Sequence, residues 1–159
     1  MIKVLFVCHG NICRSPICEF VFKDMVKNAG LADQFYIESR ATHTDEIWNG
    51  RGNPVYPPAK KILLEHGISC DGKRAKLLDY SEYKDYDYFV GMDSENLHAM
   101  RRILHGDPDG KISLLLDYTD YPRSVADPWY TRDFETTYSD VVEGLTAFLQ
   151  YLIDREGLN

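Results

Sequence analysis

The sequence is short of cysteine, of positive charge and of long apolar runs, and each shortage excludes something. Four cysteines in 159 residues make a poor disulfide framework, because Cys8, Cys13 and Cys18 crowd into one stretch and Cys70 stands apart. No C-x-x-C pair occurs and His9 has no partner at ligand spacing, so no metal site is expected; no other cofactor is expected either. His43, His66, His98 and His105 show no ligand or triad spacing either. Lys and Arg number 18 against 25 Asp and Glu, a net charge of −7. That balance argues against non-specific nucleic-acid binding. It also means that any anion site must be local and built for the task. After Lys3 only four apolar residues follow, Val4 to Val7, far fewer than a secretory leader or a membrane span requires. No membrane association is expected. The chain is expected in the cytoplasm, where thiols stay reduced. There is no repeat, linker or low-complexity segment, so residues 1–159 read as one domain with its own core.

What is present is an alternation of strands and helices. Ile2–Val7 is a short, continuous, β-branched run, the pattern of a strand buried on both faces. A helix is expected next, capped by Ser15 with Pro16 in its first position. Its apolar face is Ile17, Phe20, Val21, Met25 and Val26. Further strands are predicted at Phe35–Ser39, Tyr88–Met92 and Ile112–Leu116. Further helices are predicted at Ala59–His66, after Asp93 with Leu97, Met100, Ile103 and Leu104 inward, and from Phe134 to Ile153. Thr42–Pro58 and Asp117–Arg132 read as long loops. This order predicts an α/β fold in three layers: a four-stranded parallel sheet with helices on both faces. Ligands of such sheets bind at the carboxyl ends of the strands.

The stretch "VLFVCHGNICRSP", Val4–Pro16, carries the chemistry. Between a strand end and a helix start, the spacing C-x5-R lets a loop curl so that its amides point inward, a nest for an anion. Gly10 is expected to give the curl its freedom, and the helix adds its positive end. Residues His9 to Ser15 would line the cradle, and Arg14 would fork onto two oxygens of one phosphate. Cys8 lies at the bottom, where amides, helix end and Arg14 favour the thiolate. A thiolate facing phosphorus is placed for in-line attack and a phosphocysteine intermediate. Asp127 is the candidate general acid, with Trp129 and Tyr130 as apolar walls for a flat group. Asn11 and Ser15 can steady loop and sulfur. Asp93 reads as a helix cap that also lies where it can steady the site. Among the tyrosines at 80, 83, 86 and 88, Tyr88 reads as strand core and the rest as half-exposed packing. Cys18 reads as core.

These pieces resemble the low-molecular-weight protein tyrosine phosphatases. The stretch from Val4 is similar to that family's N-terminal signature, "GMDSENL" (Gly91–Leu97) to its third strand and helix start, and "ADPWY" (Ala126–Tyr130) to its acid loop. The order of the pieces fits over essentially the whole chain. The resemblance implies hydrolysis of phosphotyrosyl proteins or peptides without metal, with Cys8 as nucleophile, Arg14 as phosphate ligand and Asp127 as acid. It implies loop-supporting roles for Asn11, Ser15 and Ser39, and an oxidative pairing of Cys13 with Cys8. A monomer with at most weak self-association is expected. The chain departs from the family in a longer loop after Thr42, where Trp48 is a candidate specificity residue. Pro57 and Pro58 stand near a frequent arginine. "CDGKR" stands where some relatives have a supporting histidine.

Rival readings separate on single residues. Arginine phosphatases of this fold tend to carry threonine where Ile12 stands and a small residue where Tyr130 stands. Arsenate reductases of this fold need a cysteine pair after the third strand, and nothing follows Cys70. A non-catalytic phosphate-binding module would need neither Cys8 nor Asp127.

Overall fold

A computed structural model describes residues 1–159. Strand β1 (Ile2–Cys8) is buried at every position except Lys3. Val4, Phe6 and Cys8 point into one hydrophobic core and Leu5 and Val7 into a second on the opposite face. That double burial is why the run shows no polar alternation. Helix α1 (Arg14–Asn28) returns the chain over the larger core, burying Ile17, Cys18, Val21 and Phe22. Strand β2 (Phe35–Ala41) then pairs parallel with β1 along its whole length, from Ile2 opposite Phe35 to Cys8 opposite Ala41. A hairpin follows, β3 (Ile47–Trp48) and β4 (Arg51–Gly52), and then α2 (Pro57–Glu65). Strand β5 (Tyr88–Gly91) takes the other edge of β1. Helix α3 (Ser94–Ile103), strand β6 (Ile112–Leu114), the short α4 (Pro128–Thr131) and α5 (Phe134–Glu156) complete the chain.

The sheet order is β2-β1-β5-β6, every pairing parallel. Helices α1, α2 and α5 cover one face; α3 and a 3-10 turn at Tyr80–Lys84 cover the other. The predicted three layers and four parallel strands are therefore those of the molecule. The chain leaves β1 first towards β2 and later towards β5, so the switch point lies between β1 and β5. Their carboxyl ends open the crevice where such sheets hold ligands. No helix is long and apolar enough to cross a membrane.

Several boundaries differ from expectation, each for a local reason. The predicted loop Thr42–Pro58 contains the β3–β4 hairpin. Its turn is Asn49-Gly50, both at positive φ (51° and 73°), the pair that a tight hairpin turn of this kind favours. Helix α2 starts early, at Pro57, because the first turn of a helix tolerates prolines that lack an N–H. The fourth strand stops at Leu114 and rolls into a 3-10 turn, Leu115–Tyr118, which buries Leu115 and Leu116 against α5. Tyr83 and Tyr86 are not half-exposed: with Phe89 they fill the smaller core, and the Tyr83 hydroxyl donates to Asp107 (2.7 Å). Tyr88 is only half-buried, its hydroxyl on Glu156. At the root of the hairpin, Gly52 abuts the carbonyl of Ala75 so closely that a side chain there would collide with it. Ala75 N–H donates to the Asn53 carbonyl (2.9 Å), sealing hairpin to neighbour.

Candidate active site

Residues 8–15 leave the end of β1, circle and re-enter the fold as α1. The left-handed residue that makes this turn is Asn11, at φ 60°, a conformation asparagine tolerates better than most residues with a side chain. Gly10, expected to supply that freedom, is not in the left-handed region. Its missing side chain makes room instead: a Cβ there would lie 3.2 Å from Cγ of Glu46. The Asn11 carboxamide fixes the turn on three sides. Its Nδ2 donates to Ser15 Oγ (2.8 Å) and Ser39 Oγ (2.9 Å), and its Oδ1 accepts from Lys76 N–H (3.1 Å).

Helix α1 begins at Arg14, one residue ahead of Ser15, and its first turn has no side-chain cap. Ser15 was expected to cap that helix and to reach the sulfur. It does only the second: Ser15 Oγ lies 3.1 Å from Cys8 Sγ. Arg14 is almost wholly buried, and both donors on its Nη1 are committed, to Asp93 Oδ2 (2.7 Å) and to the Val125 carbonyl (2.8 Å). The Nε–Nη2 edge is thereby left as the fork. Burial works against the Arg14 charge, but Cys8, Asp93 and Asp127 around it more than offset that and hold it protonated. Asp93 also caps α3 in a reciprocal box with Asn96, so one carboxylate does both jobs foreseen for it. Burial, reinforced by Cys8 and Asp127, pushes the Cys13 thiol well up, so Cys13 stays a neutral thiol.

Asp127 arrives from the other end of the chain. Val125 N–H donates to the Met92 carbonyl (2.9 Å), which ties this loop to the end of β5. Asp127 caps α4, its Oδ1 accepting from Trp129 N–H (3.0 Å), and its Oδ2 lies 3.5 Å from Arg14 Nη2. Cys8, His9, Gly10, Ile12, Cys13, Arg14, Asp127, Trp129 and Tyr130 all line one cleft of about 410 Å³. Asn11, Ser15 and Ser39 are absent from its lining, the two serines each bonded to Asn11. Trp48 stands apart: it sits 78% exposed on the hairpin and outside the cleft lining. His9 holds Asp45 through Nε2 (2.9 Å) and stacks on His43 with ring centres 4.1 Å apart, an arrangement that spacing alone did not suggest. No group of His, Cys, Asp and Glu side chains is disposed to hold a metal ion.

Beneath the loop lies a buried ionic cluster that the sequence reading missed. Glu19 accepts from Ser39 Oγ (2.6 Å), and Lys73 Nζ lies 2.9 Å from the same carboxylate and donates to the Ser39 carbonyl (3.1 Å). Lys23 pairs with the other Glu19 oxygen (2.6 Å). The available signal was Glu19 itself, a charge set among Cys18, Val21 and Phe22 on the buried face of a helix. Lys73 comes from "CDGKR". Burial works to raise the Glu19 pKa, but Lys73, Lys23 and Ser39 outweigh it and the net shift is downward. A carboxylate lowered in this way stabilises the fold above the ordinary value of about 4.3, and loses that contribution as pH falls through its folded pKa. Lys73→Met is expected to cost about 1.5–3 kcal/mol at neutral pH. That is less than the ~3–5 of a fully orphaned buried charge, because Lys23 remains. Urea midpoints for both proteins should converge as Glu19 protonates in acid; a deficit constant with pH would remove Glu19 from its cause.

Residues 3–157 match the family described as low molecular weight phosphotyrosine protein phosphatase. A low molecular weight protein-tyrosine-phosphatase of Bacillus subtilis, YfkJ, is 38% identical over 151 residues, 94% of each chain. Its crystal structure superposes with a TM-score of 0.89, covering 98% of this chain and 96% of that one at 34% identity. The Streptococcus pyogenes low molecular weight protein tyrosine phosphatase SP-PTP gives a TM-score of 0.85 at 40% identity, with 99% and 97% covered. A Drosophila arginine phosphatase, DARP, gives 0.82 at 28% identity, with 94% and 97% covered.

Proposed function

The chain belongs to the low molecular weight phosphotyrosine protein phosphatase family, and from that premise we propose that it hydrolyses phosphotyrosine through a phosphocysteine on Cys8. The supporting observation is convergence. A thiol from the end of β1, a guanidinium from the start of α1 and a carboxyl from the loop before α4 line the same cleft. In the first step the Cys8 thiolate attacks phosphorus; the S–P bond forms and the bond to the tyrosyl oxygen breaks. Asp127 gives its proton to that leaving oxygen. In the second, water attacks phosphorus while Asp127 takes its proton, the S–P bond breaks, and inorganic phosphate leaves with the thiolate restored. Arg14 and the inward amides of residues 9–15 hold the phosphoryl oxygens throughout, and Ser15 Oγ donates to sulfur as it becomes the leaving group.

Asn11, Ser15 and Ser39 keep the cradle rigid in this scheme, and Ile12, Trp129 and Tyr130 contact the phenyl ring. Once a peroxide has oxidised Cys8 to its sulfenic acid, Cys13 is the thiol that would condense with it, forming the disulfide with loss of water. We place residues 1–159 in one domain, acting as a monomer in the cytoplasm on phosphotyrosyl proteins. The likeness to an arginine phosphatase defines the decisive comparison. With a chelator present, kcat/KM for a phosphotyrosyl peptide is expected to exceed that for its phosphoarginyl counterpart by about tenfold or more, the scale on which pocket shape discriminates. The reverse order would make the chain an arginine phosphatase, and binding of phosphate without turnover of either would leave a binding module.

A further inference from the structure

Tyr56 stands between the two halves of the site. Its backbone N–H donates to the carbonyl of Ile12 (2.9 Å), on the loop that carries Cys8. Its ring packs against Trp129, with centres 4.9 Å apart, and against Phe134 at 6.1 Å. Its hydroxyl oxygen accepts from Arg132 Nη1 (3.2 Å). These contacts bracket the short helix that Asp127 caps. Trp129 is the residue whose N–H binds Asp127 Oδ1, and Arg132 closes α4 in a left-handed conformation with its guanidinium 5.7 Å over the Trp129 ring. A single side chain therefore grips both ends of α4 while its own backbone is pinned to the phosphate loop.

Helix α4 needs such a grip. Four residues cannot sustain a helix by themselves, so tertiary contacts must hold it. Upstream the acid loop is moored at Val125, to Met92 and to Arg14. Downstream, Phe134 and Tyr56 both pack against Ile12 and Cys13 of the phosphate loop, and of the two it is Tyr56 that also bonds the Ile12 carbonyl and Arg132. We propose that Tyr56 is a positioning residue for the general acid: it clamps α4 against the phosphate loop and so fixes the Asp127 carboxyl relative to Cys8. The proposal rests on the acid role given to Asp127. A displaced acid harms only a reaction that needs the proton, which separates this role from general support of the fold.

The test is a series of aryl phosphates whose leaving phenols range from strongly to weakly acidic, assayed with Tyr56→Leu, Tyr56→Phe and Asp127→Asn. For Tyr56→Leu, kcat/KM on the least activated ester is expected to fall about 10–100-fold, the order that an ångström of misplacement produces. The most activated ester should stay within about threefold, needing no proton, and inhibition by inorganic phosphate should be unchanged, since the Ile12 bond is made by backbone. Tyr56→Phe keeps both ring contacts and loses only Arg132, so it should fall between wild type and Tyr56→Leu. A uniform loss across the series, or none, overturns the clamp. If Tyr56→Leu does not fold, a leaving-group dependence for Tyr56→Phe equal to wild type overturns it as well. Asp127→Asn separates the two layers. If it leaves the dependence flat, the acid assignment fails; if it steepens the dependence and the Tyr56 variants do not, only the clamp fails.

Discussion

Cys8→Ser is expected to remove turnover of a phosphotyrosyl peptide while leaving the fold and phosphate binding in place. The loss should be about 10⁴–10⁶-fold, the range reached when an enzyme loses its nucleophile. A serine hydroxyl is smaller than the thiol, so nothing is forced apart in the core that Cys8 adjoins. The groups expected to hold phosphate are elsewhere: the Arg14 fork, the amides of the loop and the start of α1 all survive the change. Calorimetric titration should therefore find inorganic phosphate bound with nearly wild-type affinity. Rapid acid quench of the wild type during turnover should find phosphate on Cys8, and the variant should carry none. Turnover retained by the variant, or phosphate trapped elsewhere, would displace Cys8 from its role. Cys13, the other thiol on the loop, is a poor substitute because its burial keeps it protonated.

The second large effect is expected at Asp127. Its carboxyl does two things at once: it caps α4 through Trp129 N–H, and it faces the cleft. Alanine would remove both, and any loss would be ambiguous. Asparagine is a good cap residue and keeps the bond to Trp129 while removing the proton. Asp127→Asn should therefore lower kcat/KM on phosphotyrosine by about 10²–10⁴-fold, the usual worth of a general acid. Thermal stability should scarcely change. A strongly activated aryl phosphate should be hydrolysed almost as fast as by the wild type. Equal slowing of good and poor leaving groups would show that the residue shapes the loop and donates nothing.

The sequence was most legible where one physical demand acted on consecutive residues. Val4 to Val7 had to be apolar on both faces, and the stretch from Cys8 to Arg14 joins a strand end to a helix start in one tight loop, so both could be read directly. Asp93 was legible as a cap because the box with Asn96 is local. It was harder to read residues serving partners distant in the chain. Ser15 looked like a cap because the first turn of a helix usually needs one; here that turn faces the cleft and the hydroxyl goes to sulfur. Gly10 looked like the flexible residue, but Asn11 takes the left-handed position because its carboxamide finds three partners there. Lys73 and Glu19 lie 54 positions apart, and no periodicity links them. Tyr56 was invisible for the same reason. It caps nothing with its side chain and belongs to no apolar stripe, and its importance emerges only once Ile12 and Trp129 are seen on either side of it.

The hairpin that projects beside the cleft has two ends of different character. At its root, Gly52 has no room for a side chain, and the neighbouring Lys76 N–H holds Asn11 in the phosphate loop. At its tip, Trp48 is exposed and lines no part of the cleft. A change at Trp48 therefore touches no residue of the cleft lining, whereas a side chain at Gly52 would press on Ala75, next to the Lys76 N–H that holds Asn11. The same asymmetry leaves Trp48 open to substitution, whereas Asn49-Gly50 must keep the turn and Gly52 its bare backbone.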